Sequence, residues 1–359
     1  MKTSHSPEDR LRSADFDFDV PAELIAVVPR PHDEHRLLAF DRQDGRIVHA
    51  RFDEIAGLLP PRSLIVVNNS RVMRTSLALQ ADPDADIQIL NPKAEALEKV
   101  VALCPSPVPV GAVLHVAGGQ FVVTGIPVPG KSIRVGTLET GDPSIRSLPA
   151  YLETYAGVAL PRYIASQRVP PSVGEGDFQT VFARVPGSLT CPTAGLHFTP
   201  ALIERLQAAG HEFVEISLHI GFGSWGSLET EYVGDFDLDA EQIAVDREVL
   251  LRLRQAKRSG RRILAIGTTC VRTLESIPDE VLGEPGPSSG VERFTNLLIY
   301  PGHELRVADM LLTDFAYPRT PVMMMSAAFC GLEALKTVYR QAISLGYRFD
   351  LFGDGLLLI

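Results

Sequence analysis

Five short segments of this chain gather side chains that exchange protons or hold anions, most with glycine beside them. Pro192-Thr193-Ala194-Gly195-Leu196-His197-Phe198 stands just before Thr199-Pro200. His219-Ile220-Gly221-Phe222-Gly223 ends one apolar run, and Asn68-Asn69-Ser70-Arg71 ends another. Gly267-Thr268-Thr269-Cys270 leads into Val271-Arg272-Thr273-Leu274-Glu275, and Tyr300-Pro301-Gly302-His303 follows Leu297-Leu298-Ile299. Histidine titrates near neutral pH, arginine grips carboxylate or phosphate, and glycine lets backbone come close to a ligand. Each segment also has an ordinary explanation. Gly221 and Gly223 suit a tight turn, Thr268 and Thr269 can cap a helix, and lone histidines usually pack. Structural need alone does not put such residues at several strand ends at once. In parallel α/β folds ligands collect at the carboxyl ends of strands, so the joint pattern predicts one shared cleft there.

Other chemistries lack their residues. No GxGxxG follows a strand, and there is no GxxxxGK[ST], HExxH or GxSxG. His197 and His219 are 22 residues apart with no third ligand at metal spacing, so no metal is expected.

The elements around these segments alternate. Leu37 to Asp41 reads as a strand, Arg42 to Arg46 as a turn, and Ile47-Val48 as the start of the return strand. Leu64-Ile65-Val66-Val67, Ile263-Leu264-Ala265-Ile266 and Leu297-Leu298-Ile299-Tyr300 read as strands buried on both faces, and Phe213 to His219 as another strand. Thr199-Pro200 opens a helix that Gly210 stops; Asp246 to Ser259 is a second helix, and Met324 to Leu345 contains a long one. Between Leu77 and Leu148 the texture changes. Short apolar runs at 87–90, 100–103, 113–116, 121–124 and 132–135 are separated by Gly and Pro, as in a small antiparallel barrel. The expected fold is therefore α/β: a large barrel-like α/β domain (residues 1–76 and 149–359) with an inserted small antiparallel β-barrel domain (77–148).

Composition bounds the rest. The 359 residues are 45% hydrophobic and 22% charged, which fits a globular chain of about two domains and excludes a disordered or fibrous one. No apolar run reaches the roughly 18 residues that span a bilayer, and Met1 to Asp19 has no apolar signal core. Cys104, Cys191, Cys270 and Cys330 are widely spaced, as in reduced thiols. A cytoplasmic protein without a membrane partner, monomeric in solution, is expected. Lys and Arg number 34 against 44 Asp and Glu, a net charge of −10 that argues globally against a phosphate-gripping partner. Locally, Arg247 to Arg262 holds seven basic residues and one acid, Glu248. Lys257, Arg258, Arg261 and Arg262 are either a solvated helix end, favoured by the helix dipole, or a nucleic-acid phosphate patch.

Taken together the segments closely resemble one family, the S-adenosylmethionine:tRNA ribosyltransferase-isomerases of queuosine synthesis. The resemblance runs from Phe16 to Ile359 and rests mainly on Pro192 to Phe198 and on Gly267-Thr268-Thr269-Cys270-Val271-Arg272-Thr273-Leu274-Glu275-Ser276. Asn68 to Val72, Phe178 to Phe182, Leu218 to Gly221, Ile299 to Gly302 and Tyr347-Arg348-Phe349 with Gly353-Asp354 add to it. It implies an enzyme that uses S-adenosylmethionine as ribosyl donor and moves that group, with rearrangement, onto the aminomethyl group of a 7-deazaguanine in tRNA. Epoxyqueuosine forms; adenine and methionine leave. S-adenosylmethionine would be co-substrate, tRNA the partner, and no metal is required. The chemistry asks for a base beside the sulfonium, an acid for departing adenine and a carboxylate near the positive sulfur. His219 and His197 are the acid/base candidates, and Glu275, Asp309 and Asp314 the carboxylates. Asn69, Arg71, Pro192, Thr193, Ala194, Gly195, Gly221, Gly223, Thr268, Thr269, Arg272, Tyr300 and Gly302 are the candidate substrate-binding positions. Arg71 and Arg272 would take the methionine carboxylate or a phosphate.

The chain departs from the family at Phe236-Asp237-Leu238-Asp239-Ala240-Glu241, where His-x-x-His-x-Glu is usual, and at Asp314-Phe315-Ala316-Tyr317-Pro318, where Asn-Phe-His-Leu-Pro is usual. The histidines at Phe236, Asp239 and Ala316 are gone. Two alternatives follow: a related transferase with a small non-tRNA acceptor, and a non-catalytic binding protein on the same fold.

Overall fold

Leu64 to Val67 carries no polar side chain, and the structure buries all four residues in the interior of a nine-stranded sheet. The computed structural model describes residues 11–82, 85–159, 173–222, 229–283 and 286–359. In chain order the strands are β1 (Arg36–Phe40), β2 (Ile47–Arg51), β3 (Leu64–Asn68), β4 (Ser70–Val72), β5 (Ser76–Ala78), β6 (Asp86–Ile89), β7 (Val100–Leu103), β8 (Val113–Val116), β9 (Gly119–Gly125), β10 (Ile133–Thr140), β11 (Val185–Ser188), β12 (Glu212–Leu218), β13 (Glu241–Val245), β14 (Ile263–Ile266), β15 (Val291–Thr295), β16 (Met310–Asp314) and β17 (Gly355–Leu358). The described helices are α1 (Leu148–Tyr155), α2 (Pro200–Ala208), α3 (Arg247–Arg258), α4 (Thr268–Glu275), α5 (Asp279–Leu282), α6 (Pro321–Cys330) and α7 (Leu332–Ser344).

The chain divides into two compact units. One takes the chain up to Ser70 with Gln179–Val185 and Pro192–Ile359; the other takes Arg71–Phe178 and Pro186–Cys191. The first holds the large sheet, in the order β15-β13-β12-β3-β14-β16-β17-β1-β2. β12, β3, β14 and β16 run parallel to one another, and β17 runs antiparallel to β16. Side chains alternate across a strand, so a run that is apolar throughout must meet a core on each face. Leu64, Val66, Ile263, Ala265 and Leu311 enter one core with Cys270, Leu274 and Leu335; Ile65, Val67, Leu264, Ile266 and Leu312 enter the other with Leu202 and Leu206. The mixed α/β architecture read from the sequence is thus present, with helices supplied to both faces.

One local expectation needs correction. Leu297 to Tyr300 is not a strand; pairing ends at Thr295. The Arg272 guanidinium takes the carbonyls of Thr295 and Leu297, and the Leu297 N–H goes to the Thr295 hydroxyl, so this backbone is satisfied without a ladder. The long helix expected within Met324 to Leu345 is α7, which a 114° bend separates from α6. Gly331 at the break has φ 84°, a left-handed conformation that ends α6 and starts α7. Their apolar residues belong to the core, and no single described helix is long and apolar enough to cross a membrane. The Thr199 cap is as read: its side chain accepts the Leu202 N–H.

The second unit is a six-stranded antiparallel sheet, β5-β6-β7-β10-β9-β8. A bridge between Leu79 and Val116 joins its two edges, and the sheet is nearly closed into a barrel. Leu77, Ile87, Ile89, Phe121 and Leu138 fill it, joined by Leu148, Tyr151 and Leu152 of α1.

Candidate active site

Register places the chemistry. β3 pairs Leu64 with both Glu212 and Ile263, so the carboxyl ends of β12, β3, β14 and β16 lie along one edge of the sheet. Those ends carry Asn68, His219, Thr268 and Asp314. His219 follows β12; its backbone N–H bonds the Gln242 carbonyl and its Nδ1 lies 2.8 Å from Ser70 Oγ. Asn68 ties this corner together. Its amide donates to the Leu218 carbonyl (3.0 Å) and to Thr269 Oγ1 (3.3 Å), and its oxygen accepts from the backbone of Ser70 and Leu218. Helix α4 therefore opens against the end of β3.

Beside it, the turn Thr193–His197 builds a ladder of buried polar groups. Gly195 is required there, because a Cβ would sit 2.9 Å from Thr180 Cγ2. Thr193 Oγ1 donates to Asp314 Oδ2, and His197 Nε2 lies 2.8 Å from Asp314 Oδ1. His197 Nδ1 is 2.8 Å from Nδ1 of His35, whose Nε2 is 3.1 Å from the Arg30 carbonyl. Phe52 stacks on His197 at 4.4 Å between ring centroids. Burial, reinforced by His197, pushes the His35 pKa from 6.5 down to about 3; burial also lowers that of His32. The sign follows. Between about pH 6.5 and 3 the unfolded chain takes up a proton at position 35 that the native chain refuses, so stability falls as pH falls through that window. The urea midpoint of wild type should drop more steeply from pH 6.5 to 4 than that of His35→Gln; equal slopes would refute the assignment.

The other candidates lie as follows. Arg272 is buried and fully engaged by Glu241 and by the Leu297 and Thr295 carbonyls, while Glu241 also accepts the Gly221 N–H at 2.7 Å. It is a brace, not an anion receptor. Glu275 is not on the surface: its carboxylate is buried, accepts three backbone N–H groups, from Arg306, Val307 and Ala308, and acts electrostatically on His303. Asp309 accepts the Ile263 N–H at the opposite end of the sheet from Asp314. The basic cluster lies at that opposite end too. Arg252 and Arg261 both pair with Glu212, Arg262 reaches the Asp309 carbonyl, and Lys257 and Arg258 are exposed. Asn69 bonds Ser217 and Glu215. Arg71 is exposed and belongs to the second unit. Pro192 precedes the Thr193 turn, and Ala194 lies next to Gly267. Tyr300, whose hydroxyl lies near Gly234, and Gly302 sit in the loop after β15. Gly223 lies outside the described residues. At the positions of the missing histidines, Phe236 packs on the core, Asp239 is exposed, and the Ala316 N–H donates to the Tyr339 hydroxyl. Among the described residues no group of three or more His, Cys, Asp or Glu is placed to hold a metal.

Sequence reasoning missed Asn68, Ser70, His35 and Arg30. Asn68 stood in the same string as Asn69, with nothing in the pattern to choose between them. His35 lies in the polar run Pro31 to Arg36 and resembles a surface turn until the fold brings His197 to it.

Fold and site define a two-unit α/β protein with a histidine–carboxylate site at the carboxyl ends of a mixed sheet. A family model described as queuosine biosynthesis protein matches residues 13–358, so the chain belongs to that family. Among similar proteins, the S-adenosylmethionine:tRNA ribosyltransferase-isomerase of Carboxydothermus hydrogenoformans is 33% identical over 370 residues, covering 97% of this chain and all of the relative. The protein of the same name from Thermotoga petrophila is 35% identical over 362 residues, with 97% and 100% covered. A crystal structure of S-adenosylmethionine tRNA ribosyltransferase from Thermotoga maritima superposes with a TM-score of 0.54 at 29% identity, covering 96% of this chain and 100% of that one.

Proposed function

We propose that this chain is an S-adenosylmethionine:tRNA ribosyltransferase-isomerase, moving the ribosyl group of S-adenosylmethionine onto a 7-aminomethyl-7-deazaguanine in tRNA. End-to-end similarity to relatives of that name supports the reading, and the observation that carries it locally is the pair of histidine sites at the carboxyl ends of β12 and β16, along the same end of the sheet. When bound, S-adenosylmethionine supplies a ribosyl group activated by the sulfonium. The residues present fit such a group. Asp314 is a carboxylate for a positive centre, and Thr268 and Thr269 open α4, whose first N–H groups suit a carboxylate. His219, oriented by Ser70, is the base; the His197–Asp314 pair holds the proton for the leaving base. A cytoplasmic, monomeric enzyme is part of this reading.

Adenine release in the presence of S-adenosylmethionine and tRNA carrying the aminomethyl base tests it. Release only with small acceptors would replace the tRNA acceptor, and binding without release would remove the activity. The acceptor should approach the edge with His219. Reversing Lys257 and Arg258 to glutamate, at the far edge, should leave tRNA affinity and its salt slope unchanged; a slope reduced by about 0.9 per lost phosphate contact would show that tRNA reaches that end.

A further inference from the structure

His35 has no place in the activity derived so far, yet its surroundings fix where protons can lie. A backbone carbonyl only accepts, so the Arg30 contact requires a proton on His35 Nε2. The ring is neutral at physiological pH, because burial and the charges of the facing His197, His32 and Arg30 side chains oppose its protonation and outweigh the Arg30 carbonyl, which favours it. A neutral imidazole with a proton on Nε2 has a bare Nδ1. That nitrogen lies 2.8 Å from His197 Nδ1, which must therefore carry a proton and donate it to His35. One proton remains on the other side, between His197 Nε2 and Asp314 Oδ1. Asp314 Oδ2 meanwhile accepts from the Thr193 hydroxyl. His197 is buried between Asp314, His35 and the Phe52 ring.

We propose that His35 is a positioning residue for ribosyl transfer: by accepting the Nδ1 proton of His197, it makes the proton in the His197–Asp314 bond the one mobile proton of the ladder and directs it toward Asp314. The inference rests on the proposed activity, in which the departing base must gain a proton. The proton leaves His197 Nε2 for Asp314, and from Asp314 goes to that base. His197 is left as the neutral Nδ1–H form, stabilised by His35, and Asp314 as carboxylate. Without an acceptor at position 35, His197 would turn to the Nε2–H form with a bare Nδ1, and the ladder would hold one proton fewer.

The test uses the full chain and two substitutions of different capacity. Glutamine at 35 can accept with its carbonyl and donate with its amide; leucine can do neither. Nitrogen-15 spectra of the histidine rings at pH 7 to 8 should show His197 protonated at Nδ1 in wild type and His35→Gln, and bare at Nδ1 in His35→Leu. Asp314→Asn should remove the Nε2 proton and leave that at Nδ1. In turnover, His35→Leu should lower kcat about 100-fold with the KM for S-adenosylmethionine unchanged, and His35→Gln should restore most of it. A wild-type His197 with a bare Nδ1, or equal losses in the leucine and glutamine variants, overturns the proposal. A wild-type chain that releases no adenine overturns the activity beneath it, and the spectra distinguish the two failures.

Discussion

With His219 changed to alanine, tRNA-dependent adenine release should fall by about 10²- to 10⁴-fold, the range that a positioned acid or base contributes. The fold should survive. His219 lies just past β12, and the link that anchors its backbone, N–H to the Gln242 carbonyl, does not involve the side chain. The side chain is only partly buried, so truncation opens no sealed cavity. Circular dichroism and the urea midpoint should therefore match wild type while turnover is lost. Ser70→Ala, which removes the 2.8 Å contact to Nδ1 but leaves the ring, should cost less. Wild-type turnover in His219→Ala would take the residue out of the mechanism.

Arg272→Ala should destabilise the chain by about 3–5 kcal/mol, because it strands the Glu241 carboxylate in a buried position. The side chains of Arg272 and Glu241 are 7% and 3% exposed, so water cannot take over the lost partner. The Thr295 and Leu297 carbonyls lose their donor at the same time. Replacing both members, Arg272→Met with Glu241→Leu, should recover the part of the loss that comes from the stranded charge, since the charge and its partner go together. The deficit left would be that of the Gly221 N–H, which loses its acceptor, and of the Thr295 and Leu297 carbonyls, which still lack a donor. Urea unfolding of the single and double variants measures both quantities; an unchanged midpoint for Arg272→Ala would disprove the brace.

The parts of this molecule that could be read from its residues are those set by short-range pattern. β3 and β14 are apolar at every position from Leu64 to Val67 and Ile263 to Ile266, and only a strand with a core on each face explains that. Thr199 and Pro200 announce α2 chemically. The failures are of another kind. Asp309 and Asp314 are five residues apart in sequence, and β16 carries the chain between them. At about 3.3 Å per residue that puts them some 16 Å apart, at opposite ends of the sheet. Glu275 follows Thr268 closely, yet an eight-residue helix of about 12 Å lies between. Arg272 looked like an anion receptor because a sequence does not show which carboxylate and carbonyls will surround a guanidinium. The His35–His197 contact joins residues 162 positions apart, beyond any local pattern. The exchange of the family's asparagine for Asp314 was visible, but its meaning was not until His197 lay against it.

The order of strands in the large sheet also bears on how the chain is made. Among the described residues, the hairpin β1–β2 joins the rest of the sheet only through β17, with Leu37 opposite Gly355. At roughly 5–20 residues per second, a ribosome needs about 15–60 s to pass from one partner to the other. Throughout that interval Leu37 and Leu38, both wholly buried in the finished protein, lack their partner strand, and β1 has a bare hydrogen-bonding edge. Synthesis thus holds open for tens of seconds an edge to which another nascent chain can bind.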